Sequence, residues 1–225
     1  MICTIALPAK VDSARVIAEA RELTIYGRVH DAAVVLDRFL LRNPQSRKVR
    51  RILTGLRKRF LLIDNDNDLF DTSGMQRFEF SSDYNQIRFY SLILTQYLPA
   101  DMRSDRLMEQ QVSEIVKNAI KHGNRGNILK KIRVWFECAD RVRYVIEDEG
   151  SGMQNMEEWN DFNRRRRKAL RENDMEQMFS LLAYKGEHSE ENDGGNSLFA
   201  ALEFWDEGML YSSKRNKVVV VKYRS

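Results

Sequence analysis

Two periodicities divide the chain. Residues 11 to 60 place apolar side chains three and four positions apart, as in VDSARVIAEARELTIYG and VHDAAVVLDRFLLRN, the spacing that lines one face of a helix. Asn43-Pro44 ends one such helix, because a proline disfavours helical backbone in the residue before it, and RKVRRILTGLRKRF starts another. From about residue 75 the period shortens. RFEFSS alternates as a strand does, while DYNQIRFYSLILTQYL returns to helical spacing and stops before Pro99. A further helix is predicted from Asp105 to His122, capped by Ser104 and ended by Gly123. IRVWFECA and VRYVIEDE alternate on either side of a tight turn around Asp140, which predicts a hairpin. A charged, helix-leaning and mobile-looking stretch runs on to about residue 192; its run Arg164, Arg165, Arg166, Arg167 and Lys168 reads either as part of a partner-binding lid or, at least as well, as a solvated basic helix. DGGNSLFAALEFWDEG then opens a helix on glycines, and GMLYSS with KVVVVKYRS forms a last hairpin around Lys214-Arg215-Asn216.

These elements predict an α+β chain with a helical N-terminal region over residues 1–63, a polar linker over 64–75 and a second domain over 76–225 that carries a long insert, 153–193. YGRVHDAAVVLDRFLLRNPQS resembles one helix-turn-helix unit of tetratricopeptide repeats, but a solenoid needs about three, so the segment reads as a small helical appendage or docking surface. The linker DNDNDLFDTSGM sets Asp64, Asp66 and Asp68 at the first ligand positions of a calcium loop. It then fails the pattern with Leu69 at the glycine position and Met75 at the glutamate position.

Composition constrains the setting more than the chemistry. At 225 residues and 43% hydrophobic content the chain can bury a real core, and 37 basic against 33 acidic residues make a mixed surface that selects no partner. The basic cluster Arg47, Lys48, Arg50, Arg51, Arg57, Lys58 and Arg59 lacks interleaved aromatic residues, and reads as a solvated helix face rather than a nucleic-acid contact. Cys3 and Cys138 stand alone, without companions at metal-ligand spacing, which points to a reducing compartment. No apolar run approaches the ~18 residues of a membrane span and the opening is not a signal peptide, so a cytoplasmic protein is expected.

Three polar elements carry candidate chemistry. Within EIVKNAIKHGN, residues Glu114, Asn118 and His122 stand at i, i+4 and i+8 and share one helix face beside the apolar stripe. Asp148-Glu149-Gly150-Ser151-Gly152 follows a strand, and Gly194-Gly195-Asn196-Ser197-Leu198 starts a helix. An acidic side chain at a strand end can accept the amino group of adenine, and glycines let the backbone pass close to base and phosphate, a fit for Asp148, Gly150 and Gly152. The N–H groups at the helix start, residues 194 to 198, can bind phosphate. Asn118 offers a carboxamide oxygen to magnesium, and Glu114, one turn away, can act as the base of phosphoryl transfer.

In this order the set resembles the GHKL ATPase superfamily, which includes sensor histidine kinases, type II topoisomerases and bacterial anti-sigma-factor serine kinases. EIVKNAIKHG looks like its N box, DEGSG like its first glycine box and GGNSLFAALEFWDE like its second, so the resemblance covers about residues 76 to 225. It implies a two-layer α/β sandwich of the GHKL (Bergerat) type with ATP or ADP and Mg2+ as ligands. It also implies Glu114 as catalytic base and Asn118 as metal ligand. Nucleotide contacts are then expected from Asn118, His122, Asp148, Gly150, Gly152, Gly194, Gly195, Asn196, Ser197 and Leu198. In the anti-sigma-factor branch, a serine/threonine kinase phosphorylates an antagonist protein, otherwise sequesters a sigma factor, and forms a homodimer. Ser197 departs from the family pattern, since it replaces a glycine where backbone should approach phosphate, and the insert is longer than in the compact branch. The alternative expectation is therefore a binding module of the same fold that sequesters a partner and catalyses little or nothing. A histidine kinase core needs an acceptor histidine upstream; only His30 lies there, in VHDAAV, without the expected acidic and proline neighbours.

Overall fold

The computed structural model describes residues 12–63, 68–103, 106–182 and 196–224. The chain forms two compact units, Met1–Leu56 and Arg57–Ser225. In the first, α1 (Ser13–Ile25) starts on the Asp12 side chain, which accepts the Ala14 N–H. It ends where Gly27 adopts φ +76°, a left-handed geometry that costs glycine no Cβ clash. Val16, Ile17 and Ala20 of α1 and Ala32, Ala33 and Leu36 of α2 (Val29–Arg42) supply buried stripes to this helix pair. Asn43 caps α2, and α3 (Arg47–Arg57) buries Val49, Leu53 and Leu56 at helical spacing.

The second unit is built on a mixed six-stranded sheet of order β1-β5-β6-β4-β3-β2: β1 (Leu62–Ile63), β2 (Gln76–Ser81), β3 (Lys131–Cys138), β4 (Arg141–Asp148), β5 (Leu210–Tyr211) and β6 (Lys217–Tyr223). Only β1 and β5 pair in parallel; the rest are antiparallel. Pleating sends alternate side chains to opposite faces. Cross-strand partners Val134, Ile146 and Val218 therefore line one face together with Phe136, Tyr144 and Val220. That row packs on α4 (Ile87–Thr95), which is followed by the short α5 (Ala100–Arg103), and on α6 (Arg106–Asn118), through Tyr90, Leu94, Val112, Ile115 and Val116. Two helices follow β4, α7 (Met156–Glu172) and α8 (Met175–Leu182), and α9 (Asn196–Phe204) precedes β5. Phe162 of α7 stacks on Phe199 of α9 at 5.5 Å, and Trp205 meets Tyr144 edge-on at 6.1 Å. No helix among the described residues is long and apolar enough to cross a membrane.

The strands at 76–81, 131–138, 141–148 and 217–223 and the helices around them lie where the periodicity puts them. Four expectations need correction. The division falls at 56/57 rather than within 64–75, because β1 pairs with β5 and draws residues 57–63 into the second unit. Residues 68–75 are not a free linker: Asp68–Phe70 forms a 3-10 turn whose Asp68 and Leu69 carbonyls accept from the Arg143 guanidinium at 3.3 and 2.8 Å. Residues 64–67, Ser104 and Asp105 lie outside the described residues, and with them the aspartates of the calcium-loop comparison and the Ser104 cap. Arg57 and Lys58 are not part of a solvated face, since Arg57 is buried against Glu207 and Lys58 reaches Asp206 at 3.1 Å.

The insert is the fourth correction. Its charge suggested mobility, yet α7 is docked: Met156, Phe162 and Ala169 are buried, and Arg166 and Arg167 both reach Glu203 at 2.7 Å. Asn160 clasps Leu61, accepting its N–H at 2.7 Å and donating to its carbonyl at 3.0 Å, and Asn163 donates to the Arg59 carbonyl at 2.8 Å. Asn160→Ala strands a buried N–H and a buried carbonyl, and is expected to cost about 2–4 kcal/mol in chemical denaturation. Asn160→Asp, which keeps only the acceptor, should fall between the two.

Candidate functional site

The candidate site begins with strand parity. Val142, Tyr144 and Ile146 point into the core, so Asp148, two residues on, belongs to the same helix-facing row and pairs with Ile132 across the sheet. An apolar side chain would extend the core there; a carboxylate ends it. The carboxylate is received by glycine. A Cβ on Gly123 would overlap the Asp148 carboxyl group, and one on Gly150 would overlap the Gly123 carbonyl, so three backbone segments meet at contact distances that only glycine permits.

Gly123 closes a five-residue π turn, Ala119–Gly123, that continues α6. Opening the helix by one residue per turn is a local distortion found often at functional sites. It also changes the fate of the predicted polar stripe. Glu114 and Asn118 lie half-buried on consecutive turns of α6, whereas His122 falls in the π turn and is exposed. Lys117 stands 4.0 Å from the Glu114 carboxylate.

Two asparagines outside the expected set of site residues hold the loops in place. Asn124, fully buried, accepts the Glu149 N–H at 2.8 Å and donates to the Ser82 hydroxyl at 2.7 Å and the Lys131 carbonyl at 2.9 Å. Asn216 joins the last hairpin to the strand end: its carbonyl accepts the Asp148 N–H and its side chain donates to the Asp148 carbonyl, both at 2.9 Å. Gly152, at φ +83°, passes so close to the Lys214 carbonyl that a Cβ would overlap it, and the Met153 N–H donates to the Arg215 carbonyl at 2.9 Å. Glu149 turns the other way, its carboxylate accepting the Lys131 N–H at 3.0 Å and pairing with Arg133 at 2.6 Å. The only legible signal for either asparagine was position, one at the end of a helix and the other in a hairpin turn.

Electrostatics single out Asp148. Burial pushes its pKa up to about 6, against the Gly150 N–H that donates to Oδ1 at 2.8 Å and the Lys130 charge, both of which favour the ionised form. Tyr211, buried on β5 with β6 between it and β4, has its hydroxyl held above the usual range by burial and secondarily by the Asp148 charge. A half-buried carboxylate that ionises near neutrality can accept a hydrogen bond from a ligand amino group. Among the described residues, no three His, Cys, Asp or Glu side chains group to hold a metal ion. The Asn118 carboxamide oxygen is a hard donor of the kind magnesium takes, singly, from a protein.

Gly194 and Gly195 lie outside the described residues. Asn196 is the first residue of α9, Ser197 and Leu198 occupy its first turn, half-buried, and Leu198 packs against the core. The structure thus brings together Asp148, Gly150 and the end of the helix that carries Glu114 and Asn118. In comparisons with known proteins, no family model and no curated sequence matches the chain.

Asp148 is retained at a cost. Its folded pKa is raised, so its contribution to stability is fully present below the unfolded value near 3.8 and is lost as pH rises through about 6. Asp148→Asn, which keeps an acceptor for Gly150, should raise stability at pH 7.5 by about 1 kcal/mol, a figure discounted for the partial exposure, with the gain vanishing toward pH 4. Gly150→Ala should lose about 1–3 kcal/mol because the obstructing group is backbone. Gly55→Ala in α3, where a Cβ meets nothing within 4 Å, should gain about 0.5–1 kcal/mol. Thermal unfolding of the three variants across pH checks all of these.

Proposed function

We propose that the second unit is a GHKL-type (Bergerat) nucleotide-binding domain, and that the chain is an ATP-dependent protein serine/threonine kinase. By the same reading it phosphorylates an antagonist protein and otherwise holds a sigma factor, in a partner-switching system. One observation carries the reading. Asp148, a carboxylate with a raised pKa, ends a core-facing strand row and rests on glycines 123 and 150 at the end of the helix bearing Asn118 and Glu114.

The chemistry follows from that row. Ionised Asp148 accepts the adenine amino group, and Gly123 and Gly150 let the backbone close around its carboxylate. The Asn118 carboxamide fits a magnesium ion that takes most of its oxygens from phosphate and water, and such an ion, when bound, neutralises phosphate charge. Glu114 is placed one helical turn from Asn118, about 6 Å along the axis. It takes the proton of a serine or threonine hydroxyl as that oxygen attacks the γ-phosphorus. The bond from phosphorus to the bridging oxygen breaks, and ADP leaves with the electron pair.

Glu114→Gln should leave ATP and ADP affinity within about twofold while lowering phosphoryl transfer on the order of 10²-fold or more. Transfer from radiolabelled ATP, measured beside calorimetric titration, checks both halves; retained transfer overturns the role of Glu114. Nucleotide affinity should also fall below about pH 6 as Asp148 takes up its proton and loses the negative charge that strengthens its hydrogen bond to the amino group. Wild type that binds ATP and transfers nothing supports the binding-module alternative.

A further inference from the structure

A tight turn leads into β3, at the end of the sheet where Asp148 lies. The Asn127 carbonyl accepts the Lys130 N–H at 2.9 Å and the Asn127 side chain accepts the Leu129 N–H at 3.0 Å, so Ile128 and Leu129 form the two corners. Glycine, asparagine, aspartate, serine and proline dominate such positions. Here the corners are aliphatic, Ile128 57% and Leu129 85% exposed. The frame behind them is braced. The Gly126 N–H donates to the Ile120 carbonyl at 2.8 Å, the Asn127 N–H donates to the Asn124 carbonyl at 3.2 Å, and buried Asn124 is itself anchored to Ser82 and to the Lys131 carbonyl. A single exposed leucine is ordinary, but two adjacent aliphatic side chains held outward on a braced turn call for something to cover them.

Charge around the turn says what the cover is. Residues 115–136 carry Lys117, Lys121, Arg125, Lys130, Lys131 and Arg133 and not one aspartate or glutamate. Acidic groups on the adjoining elements are already committed. Glu149 pairs with Arg133 at 2.6 Å and accepts the Lys131 N–H, Glu79 pairs with Arg77 at 2.9 Å, and Asp83 accepts the Asn85 N–H at 2.9 Å. Arg125 is exposed at the turn, and Lys130 and Lys131 follow its corners directly. Tyr84, 48% exposed, adjoins them, since the Ser82 N–H donates to the Lys130 carbonyl at 3.0 Å and Lys121 lies 5.8 Å over the Tyr84 ring. The result is a small convex apolar tip with a tyrosine and a rim of cations.

We propose that this turn is a contact for an anionic membrane surface, with Ile128 and Leu129 entering the acyl boundary and Arg125, Lys130 and Lys131 meeting lipid phosphates. A stable protein interface buries about 800 Å² on each side and is poor in lysine at its centre, which two corner side chains ringed by cations do not provide. A bilayer asks for no matching pocket. Its boundary takes apolar side chains about 5–10 Å deep, while Lys and Arg keep their charged ends at the headgroups. So small an insertion gives reversible attachment, fitting a chain in which no described helix is long and apolar enough to cross a membrane. Lys130 also donates to the Glu149 carbonyl at 3.1 Å, so the contact adjoins the Asp148 loop. The inference rests on the turn and its charges and holds whether or not nucleotide binds.

Co-sedimentation of the full-length protein with vesicles tests it, using equimolar phosphatidylcholine and phosphatidylglycerol beside phosphatidylcholine alone. Wild type should bind the anionic vesicles about tenfold or more tightly than the zwitterionic ones, and added salt should weaken that binding. Ile128→Ser combined with Leu129→Ser removes the apolar tip and leaves every charge. It should melt at the wild-type temperature, because both side chains are exposed, and bind anionic vesicles about tenfold more weakly. Arg125→Asn combined with Lys131→Gln should also lose about tenfold or more, at about fivefold for each cation. Leu129→Ser alone, expected to lose about threefold, replaces the first variant if that one melts lower. Serine variants that bind as wild type does would reduce the effect to adsorption of a basic protein and overturn the proposal. Equal binding to the two kinds of vesicle overturns it too. So does wild type that binds neither, which would leave the turn to a partner protein.

Discussion

A carboxylate at the end of an apolar strand row is the constraint from which the second unit follows. Val142, Tyr144 and Ile146 commit β4 to a buried face, and Asp148 continues that face in the one residue type that burial penalises. Every neighbour is shaped by it. Gly123 and Gly150 are small because the carboxyl group and the backbone around it occupy the space of their side chains. Asn124 and Asn216 fasten the flanking loops so that the arrangement cannot relax by moving away. A fold optimised for stability alone would place a leucine or valine there; trading stability for a charged group at one point is a mark of a site.

The rest of the unit holds that point still. Residues 57–61 are secured from two sides. Asn160 and Asn163 of α7 bind their backbone, while Glu207 and Asp206, just after α9, pair with Arg57 and Lys58. Asp206 also meets Lys222 at 3.3 Å and accepts the Tyr223 N–H at 2.9 Å, which ties the same corner to the last strand. Ion pairs this close to the surface contribute little singly, but a shared carboxylate with three donors fixes geometry as well as energy. The helix α7 is thus a packed layer of the domain whose exposed arginines are largely engaged with Asp161 and Glu203.

Much of the fold was legible because it is local. Alternation in IRVWFECA and VRYVIEDE, apolar spacing in DYNQIRFYSLILTQYL and the glycines of DEGSG each express a constraint within a few residues. Asp148 itself could be read from parity alone. What escaped was non-local or too short to be periodic. Strand β1 has two residues and exists only because Leu210 and Tyr211 are beside it. Asn124 and Asn216 look like ordinary turn residues until their partners, up to 68 positions away, are known. In the string RRRRK, Arg164, Arg165 and Lys168 are exposed as a solvated helix would have them, while sequence does not reveal that Arg166 and Arg167 reach Glu203. The π turn that separates His122 from Glu114 and Asn118 follows from the end of α6 meeting the Asp148 loop, a contact with no signature in EIVKNAIKHG.

On the proposed reading Asp148 receives the amino group of adenine, and a pair of purine nucleotides that differ at that group isolates this contact. Calorimetric titration of the purified protein at pH 7.5 with ATP and with inosine triphosphate, each in magnesium, measures the difference. ATP is predicted to bind in the micromolar range, about −8 kcal/mol, and inosine triphosphate, which offers an oxygen where adenine offers a donor, to bind on the order of 10²-fold more weakly. Equal affinity for the two, or binding of neither, would contradict the account.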